Sequence, residues 1–222
     1  MRLGLELGDS VDLDAASKAE ATGLWAVAVG GPAGTEMIRA ARVVERSEHL
    51  RVIVKVELEA EHPFTIAEEV SVLDNLSGGR IGIIVDDNPR PETLLQFREA
   101  LIGRSRDGVV LSPPTVQTEV PVWLTTPLTS DSPPALAISP SDLMIRPGIA
   151  SPGSAQLSGD LDEGHMAIDT WRDAGCTHLL VTWAGSVQVL ARHLAPRAAS
   201  ADFPEIVADL ADQIEPINPE PD

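Results

Sequence analysis

Four short apolar runs, each followed by a segment of helical period, occupy residues 3–102. No other feature restricts the fold so strongly. Leu3 to Leu7 reads as a strand, followed by the polar, Ala-rich segment Asp12 to Thr22 that Gly23 stops. Trp25 to Val29 is a second strand, and the helix after it gathers Met37, Ala40, Ala41 and Val44 on one face. Val52 to Leu58 is a third strand. Thr65-Ile66-Ala67-Glu68 then reads as a capping box, with Ile66, Val70 and Leu73 at helical spacing and Gly78-Gly79 as the stop. Ile81 to Val85 is a fourth strand, and a helix spans about Glu92 to Ile102. Such repetition demands a parallel sheet covered by helices, wound open or closed into a barrel.

The strand faces choose between those two. Val52, Val54, Val56 and Leu58 make one wholly apolar face, opposite Ile53, Lys55, Glu57 and Glu59. Leu3, Leu5 and Leu7 oppose Gly4, Glu6 and Gly8, while Trp25, Val27 and Val29 oppose Ala26, Ala28 and Gly30. An open doubly wound sheet is greasy on both faces. One apolar face and one small or charged face suit a TIM-like (β/α) barrel, with helices outside and a partly polar lumen. In such a barrel Glu6, Lys55, Glu57 and Asp86 converge on the interior or the upper rim, where barrel enzymes place their chemistry. Glu6, Glu57 and Asp86 are therefore the candidate catalytic residues. The structural alternative is an interior ion pair of Lys55 with Glu6 or Glu57.

The second half is less regular. Val109 to Leu111 and Val116 to Val120 suggest a small hairpin, and Val122 to Thr125 a strand. Ala135 to Ile138 suggests a short helix, Leu143 to Ile145 a short strand, and 151–164 a mobile Gly/Ser/Asp loop. A helix around His165 to Ala174, the strand His178 to Trp183, a helix capped by Ser186 and a final helix from Pro204 complete seven main strands. The 222 residues fit one domain over 1–214, with a disordered acidic, Pro-rich tail over 215–222. An eight-fold barrel usually takes about 250 residues, so the barrel is expected to be shortened or incomplete.

Composition excludes several functions. A formal net charge of −18 repels phosphates and argues against nucleic acid. No run reaches the about 20 apolar residues of a membrane span, and the N-terminal residues lack a signal-peptide layout. The single cysteine, Cys176, forms no disulfide framework and suggests a reducing compartment, the cytoplasm. There is no G-x-G-x-x-G after a strand, no Walker loop, no H-E-x-x-H and no G-x-S-x-G. The five histidines never pair at metal-ligand spacing, so no metal site is expected. Glu57 and Glu59 could form a hydrolytic carboxylate pair or simply a solvated strand end.

One segment is distinctive. His62-Pro63-Phe64-Thr65-Ile66-Ala67-Glu68-Glu69, then Leu73-Asp74-Asn75-Leu76-Ser77-Gly78-Gly79-Arg80, then Ile81-Gly82-Ile83-Ile84-Val85, closely resembles the luciferase-like monooxygenase family of flavin- and deazaflavin-dependent barrels. Ala19 to Trp25 and Pro121 to Leu124 are weaker echoes. The resemblance covers most of residues 1–146 and, more loosely, 171–196. Asp74 near a helix C-terminus is electrostatically poor unless paired, and Arg80 is the expected partner. The chain is similar to the shortened members of that family, which include the non-fluorescent flavoproteins. The resemblance implies FMN or the deazaflavin coenzyme F-420 as cofactor, with an oxidoreductase of monooxygenase type acting on a small-molecule substrate. A non-catalytic flavin-binding homologue, or an inactive partner subunit, is the alternative. It also implies a homodimer, or a heterodimer with a related barrel, through the helices around 36–47 and 65–77. The best remaining phosphate site is the last β-α turn, Trp183-Ala184-Gly185-Ser186, where small residues precede a helix N-terminus. Thr125, Trp183, Gly185 and Ser186 are the candidate cofactor-binding residues.

Overall fold

The computed structural model describes residues 1–8, 13–32, 34–85, 89–103, 110–125, 136–138, 152–173 and 176–199. Eight strands form one sheet: β1 (Arg2–Leu7), β2 (Ala26–Val29), β3 (Arg51–Val56), β4 (Ile81–Val85), β5 (Val122–Thr125), β6 (Leu136–Ile138), β7 (Pro152–Leu157) and β8 (His178–Trp183). Their order is β6-β5-β4-β3-β2-β1-β8-β7, parallel throughout except for the antiparallel pair β5-β6. The two end strands, β6 and β7, approach to within 8 Å between Cα atoms without joining in a ladder. The sheet thus curls into an incomplete barrel.

Helices α1 (Leu13–Ala21), α2 (Glu36–Arg46), α3 (Pro63–Ser77), α4 (Pro91–Leu101) and α5 (Leu161–Asp173) cover its outside. A last helix, α6, runs continuously through Val187–Val189, Leu190–Leu194 and Ala195–Ala199, with its middle wound as a π-helix. The core has two layers, as strand alternation requires. Outside, Leu3, Leu5, Val27, Val29, Val52, Val54, Val56, Ile81 and Ile83 pack against α2, α3 and α4 through Val43, Ala67, Val70, Leu73 and Phe97. Inside, Ala26, Ala28, Ile53, Ile84, Trp123 and Leu180 form a separate cluster. Trp25 joins this inner cluster rather than the outer one. It stands just before β2, with its ring tilted against that of His178 at a centroid distance of 4.2 Å.

Close approach inside the barrel depends on two glycines. A Cβ on Gly4 would lie 2.7 Å from the Leu180 side chain and 2.9 Å from the Ala26 carbonyl oxygen; one on Gly82 would lie 2.7 Å from the Trp123 ring. Large side chains on one strand therefore rest on bare backbone of the next.

Several sequence expectations are corrected. α3 begins at Pro63, not Thr65: His62 is the N-cap, and its Nδ1 accepts the Phe64 amide at 3.2 Å. A proline at the first helical position has no amide to leave unsatisfied, so it starts the helix earlier than the capping box implied. The expected hairpin is absent. Residues 110–121 instead form an irregular strap over α3, with Leu111 and Val120 buried. Asp74 does not pair with Arg80. It is fully buried and accepts the Gln117 amide at 3.0 Å and the Gln117 Nε2 at 2.7 Å, while Asn75 and Ser71 donate to the Pro114 and Pro113 carbonyls. Arg80 donates to the carbonyls of Ser77, Leu50 and Ser47, and desolvation lowers its pKa. Neutral backbone carbonyls at 2.7 Å give Arg80 the acceptors it needs, so Asp74 is released to hold the strap.

Residues 136–138 are strand β6, not helix, because they pair with Trp123, Leu124 and Thr125. The expected 151–164 loop holds β7 and the start of α5: all six residues of β7 have β8 partners, and Pro152 sits at the first position of an end strand, where no ladder amide is needed. The expected strand Leu143 to Ile145, the helix from Pro204 and the tail at 215–222 lie outside the described residues.

Candidate active site

The upper layer of the lumen is polar where the lower layer is apolar. Glu6 on β1 lies opposite Ala28 on β2 and opposite Thr182 on β8, and Thr182 in turn lies opposite Gln156 on β7. Alternation sends Leu157, Val181 and Trp183 to the outer core, so Gln156 and Thr182 face the lumen with Glu6. Lys55 stands at the same end of β3. Its stem runs over Gly30, whose Cβ would lie 3.5 Å from the Lys55 Cβ and Cδ, and its Nζ donates to Glu6 Oε1 at 2.6 Å. The small residues Ala28, on the intervening strand, and Gly30, just past its end, let the lysine cross it. The pair is half-buried, with side-chain exposures of 19% for Lys55 and 18% for Glu6. Of the two partners open to Lys55 on sequence grounds, Glu6 is the one it takes.

Glu57 follows β3 and is exposed on the rim. Asp86 lies outside the described residues. The neighbouring Glu59 points to Arg90 at the start of α4: its carboxylate accepts the Arg90 amide at 2.8 Å and the guanidinium at 2.9 Å. These bonds, the guanidinium's first, hold the exposed Glu59 carboxyl down at about 2, against an ordinary value of 4.5. A depressed carboxyl stabilises the fold above its unfolded value and loses that contribution as pH falls through the folded one. The clasp between the β3-α3 and β4-α4 loops is therefore expected to act fully above about pH 4.5 and to fade towards pH 2. A carbon-13 NMR titration checks this: Arg90→Gln should raise the Glu59 midpoint from about 2 towards 4.5, the residue-90 amide and Thr93 still holding it below that value, and an unmoved midpoint would refute the clasp.

Arg39 was not singled out by its sequence. From α2 it donates to the carbonyls of Gly8 (2.7 Å) and Gly30, tying together the ends of β1 and β2. A Cβ on Gly31 would collide with its guanidinium, so the Gly30-Gly31 pair is the one signal that could have found it. Near the same rim, burial first and then Glu61 and Glu36 raise the pKa of Glu69. This side of the mouth is acidic.

The last β-α turn has different properties. Trp183 belongs to the outer core, and its indole N–H donates to the Ser186 carbonyl at 3.0 Å. Gly185 lies against that indole, where a Cβ would be 2.7 Å from Nε1. Gly159, at φ +95°, presses its backbone onto Gly185, with a Cβ position 3.0 Å from the Gly185 nitrogen. Ser186 caps α6 by accepting the Val189 amide. The amides of Val187 and Gln188 have no acceptor among the described residues. The N-terminus of α5 is, by contrast, already filled: Asp160 accepts the amides of Asp162 and Glu163, and Glu163 returns to Ser158. Free amides and bare glycine backbone fit a phosphate at the α6 turn, and no such fit exists at α5. Thr125 ends β5 and pairs with Leu136; its side chain lies outside the described residues. No group of three His, Cys, Asp or Glu that could hold a metal occurs among the described residues.

No protein-family model matches the chain, and no curated protein does. Solved structures do. The monooxygenase RslO1 from Streptomyces bottropensis superposes with a TM-score of 0.50 at 15% identity, over 78% of this chain and 65% of its own. Apo-MsnO8 gives 0.50 at 16%, over 81% of this chain and 54% of its own. The chain thus spans less than two thirds of the length of either. With its curled parallel sheet, outer helices and polar upper lumen, the chain has the fold of the luciferase-like barrels in shortened form.

Proposed function

We propose that this chain binds FMN or the deazaflavin coenzyme F-420 across the C-terminal ends of its strands. In this reading it is an oxidoreductase of the luciferase-like monooxygenase type acting on a small organic molecule. The observation that carries the reading is the α6 turn: unpartnered Val187 and Gln188 amides beside the bare backbone of Gly159 and Gly185. These groups would hold the cofactor phosphate, with Ser186 at the helix cap and Trp183 fixing the turn from beneath. The cofactor would supply hydride transfer or oxygen activation; the protein supplies position and electrostatics. Glu6 and Lys55, with Glu57 on the rim, would border the ring system, and Thr125 ends the strand on the far side.

Titration with FMN and with F-420, followed by fluorescence, tests the reading. Binding of neither below millimolar concentration would overturn it. Ser186→Asp sharpens the test, because aspartate caps a helix as well as serine does but adds charge beside the phosphate. Affinity is expected to fall about tenfold, or about 1.4 kcal/mol, with the thermal midpoint unchanged. Unchanged affinity would reject the turn as the phosphate site.

The seam left unjoined between β6 and β7 favours a second reading, a non-catalytic flavin-binding homologue or the inactive partner of a full-length barrel. Either reading includes pairing with a second copy or a related barrel through α2 and α3, which expose Ile38, Val72 and Leu76. No helix among the described residues is long and apolar enough to cross a membrane. Cys176 is buried, is in no disulfide and donates its thiol to the His178 carbonyl at 2.9 Å, which fits the cytoplasm as the proposed compartment.

A further inference from the structure

The turn that joins α2 to β3 is gripped from two sides by opposite charges. On one side the amides of Glu48, His49 and Leu50 all donate to a single oxygen, Oε1 of Glu20 on α1, at 2.8, 2.6 and 3.0 Å. On the other side Arg80 donates to the Ser47 and Leu50 carbonyls at 3.1 and 2.7 Å, and to Ser47 Oγ at 3.3 Å. Three successive amides that converge on one point repel each other unless a negative oxygen stands between them. Burial works against the Glu20 charge, yet the three amide bonds prevail, with a smaller contribution from His49. The carboxyl therefore titrates below its ordinary value. Desolvation lowers the Arg80 pKa and the charge of Glu20 opposes that, so the two groups act on the turn within electrostatic reach of each other.

We propose that this turn is an oxyanion site whose resident ligand is the chain's own Glu20, and that a free phosphate or carboxylate takes the same three amides once that side chain is removed. The site stands at the N-terminal end of β3, opposite the mouth, and is independent of any cofactor there. Its ligand reaches in from α1, and Arg80 from the turn between α3 and β4. One anion site thus fastens three successive β-α units at the base of the barrel. Glu20 is the tether, and what the turn recognises is the negative oxygen rather than the glutamate that carries it.

Glu20→Ala opens the site. Its thermal midpoint is expected to fall by about 5 °C, because three amides lose a charged acceptor. About 50 mM phosphate or acetate should restore at least half of that loss, saturably, while chloride at equal ionic strength should not. Phosphate also stabilises folded proteins by exclusion from their surface. The shift is therefore taken relative to the native protein in the same buffer, where Glu20 already fills the site. Glu20→Gln keeps a neutral oxygen in place and should respond to neither anion beyond the native shift. In nitrogen-15 NMR of Glu20→Ala, phosphate should move the amides of residues 48–50 along one binding curve. Three results would overturn the proposal: an equal response of all three proteins, a chloride effect as large as that of phosphate, or amides at 48–50 that stay still. If Glu20→Ala is unfolded without anion, the same titration is read as recovery of far-ultraviolet circular dichroism, and no recovery overturns the proposal too.

Discussion

Replacing Asp74 by alanine is expected to cost about 3 kcal/mol of stability and to release the strap from α3. Asp74 is fully buried, and both of its oxygens are used: one by the Gln117 amide at 3.0 Å, the other by the Gln117 Nε2 at 2.7 Å. Removing the carboxylate strands a half-buried backbone donor and takes one of two bonds from the glutamine side chain, which also reaches the Ile81 carbonyl at 2.8 Å. Bonds to a charged group contribute about 1.5–3 kcal/mol each, and relief of the carboxylate's own desolvation offsets part of their loss. Asp74→Asn keeps one acceptor and should cost about half as much. Urea unfolding gives the magnitude. Hydrogen exchange at the Gln117 amide gives the mechanism: an amide that stays protected in Asp74→Ala would show that the strap is held by something else.

Trp123→Ala should cost about 4 kcal/mol, the other large effect. The ring is 2% exposed and forms much of the inner apolar floor. Its neighbour across the ladder is Ile84, and the ring lies directly over Gly82, which has no side chain to move into the space. Cavities that cannot collapse carry the full penalty of lost contacts. The same geometry makes a non-additive pair. Gly82→Val alone overpacks against Trp123 and Ile53, for a cost of about 2 kcal/mol. In the double variant Trp123→Ala/Gly82→Val, the valine refills part of the hole, so stability should recover by more than about 1 kcal/mol relative to the sum of the single changes. Strict additivity in thermal or chemical unfolding would mean the two residues do not share the space described.

How much of this was readable beforehand follows from the range of the interactions. On β3, alternating Val52, Val54 and Val56 against Ile53 and Lys55 assigns both faces from one strand alone, and the two core layers agree with it. The Glu6–Lys55 pair was legible for the same reason, since both lie on inner faces near strand ends. Longer-range choices were not. Arg80 was the nearest cation to Asp74, but the partner that prevails is Gln117, 43 positions away. β7 escaped notice because Gly153, Ser154 and Ala155 have weak strand preference, and it forms through its six-residue register with β8. β6 read as helix because Ala135, Leu136 and Ala137 favour one locally, until pairing with β5 overrides that preference. At the site, Gln156 and Thr182 join Glu6 only through the register of three strands. No local pattern announces that.

The unjoined seam between β6 and β7 gives the barrel two ends where a closed ring has none. A strand inside the arc must break two ladders to leave it, and a strand at an end only one. Resistance to local opening is therefore graded around the barrel, greatest towards β2 and β3 and least at β6 and β7. Lys55 sits on the firm middle of that gradient and Gln156 on its yielding end. The Glu6–Lys55 pair is thus anchored in strands that open last, while the register that brings Gln156 opposite Thr182 belongs to a ladder that opens early.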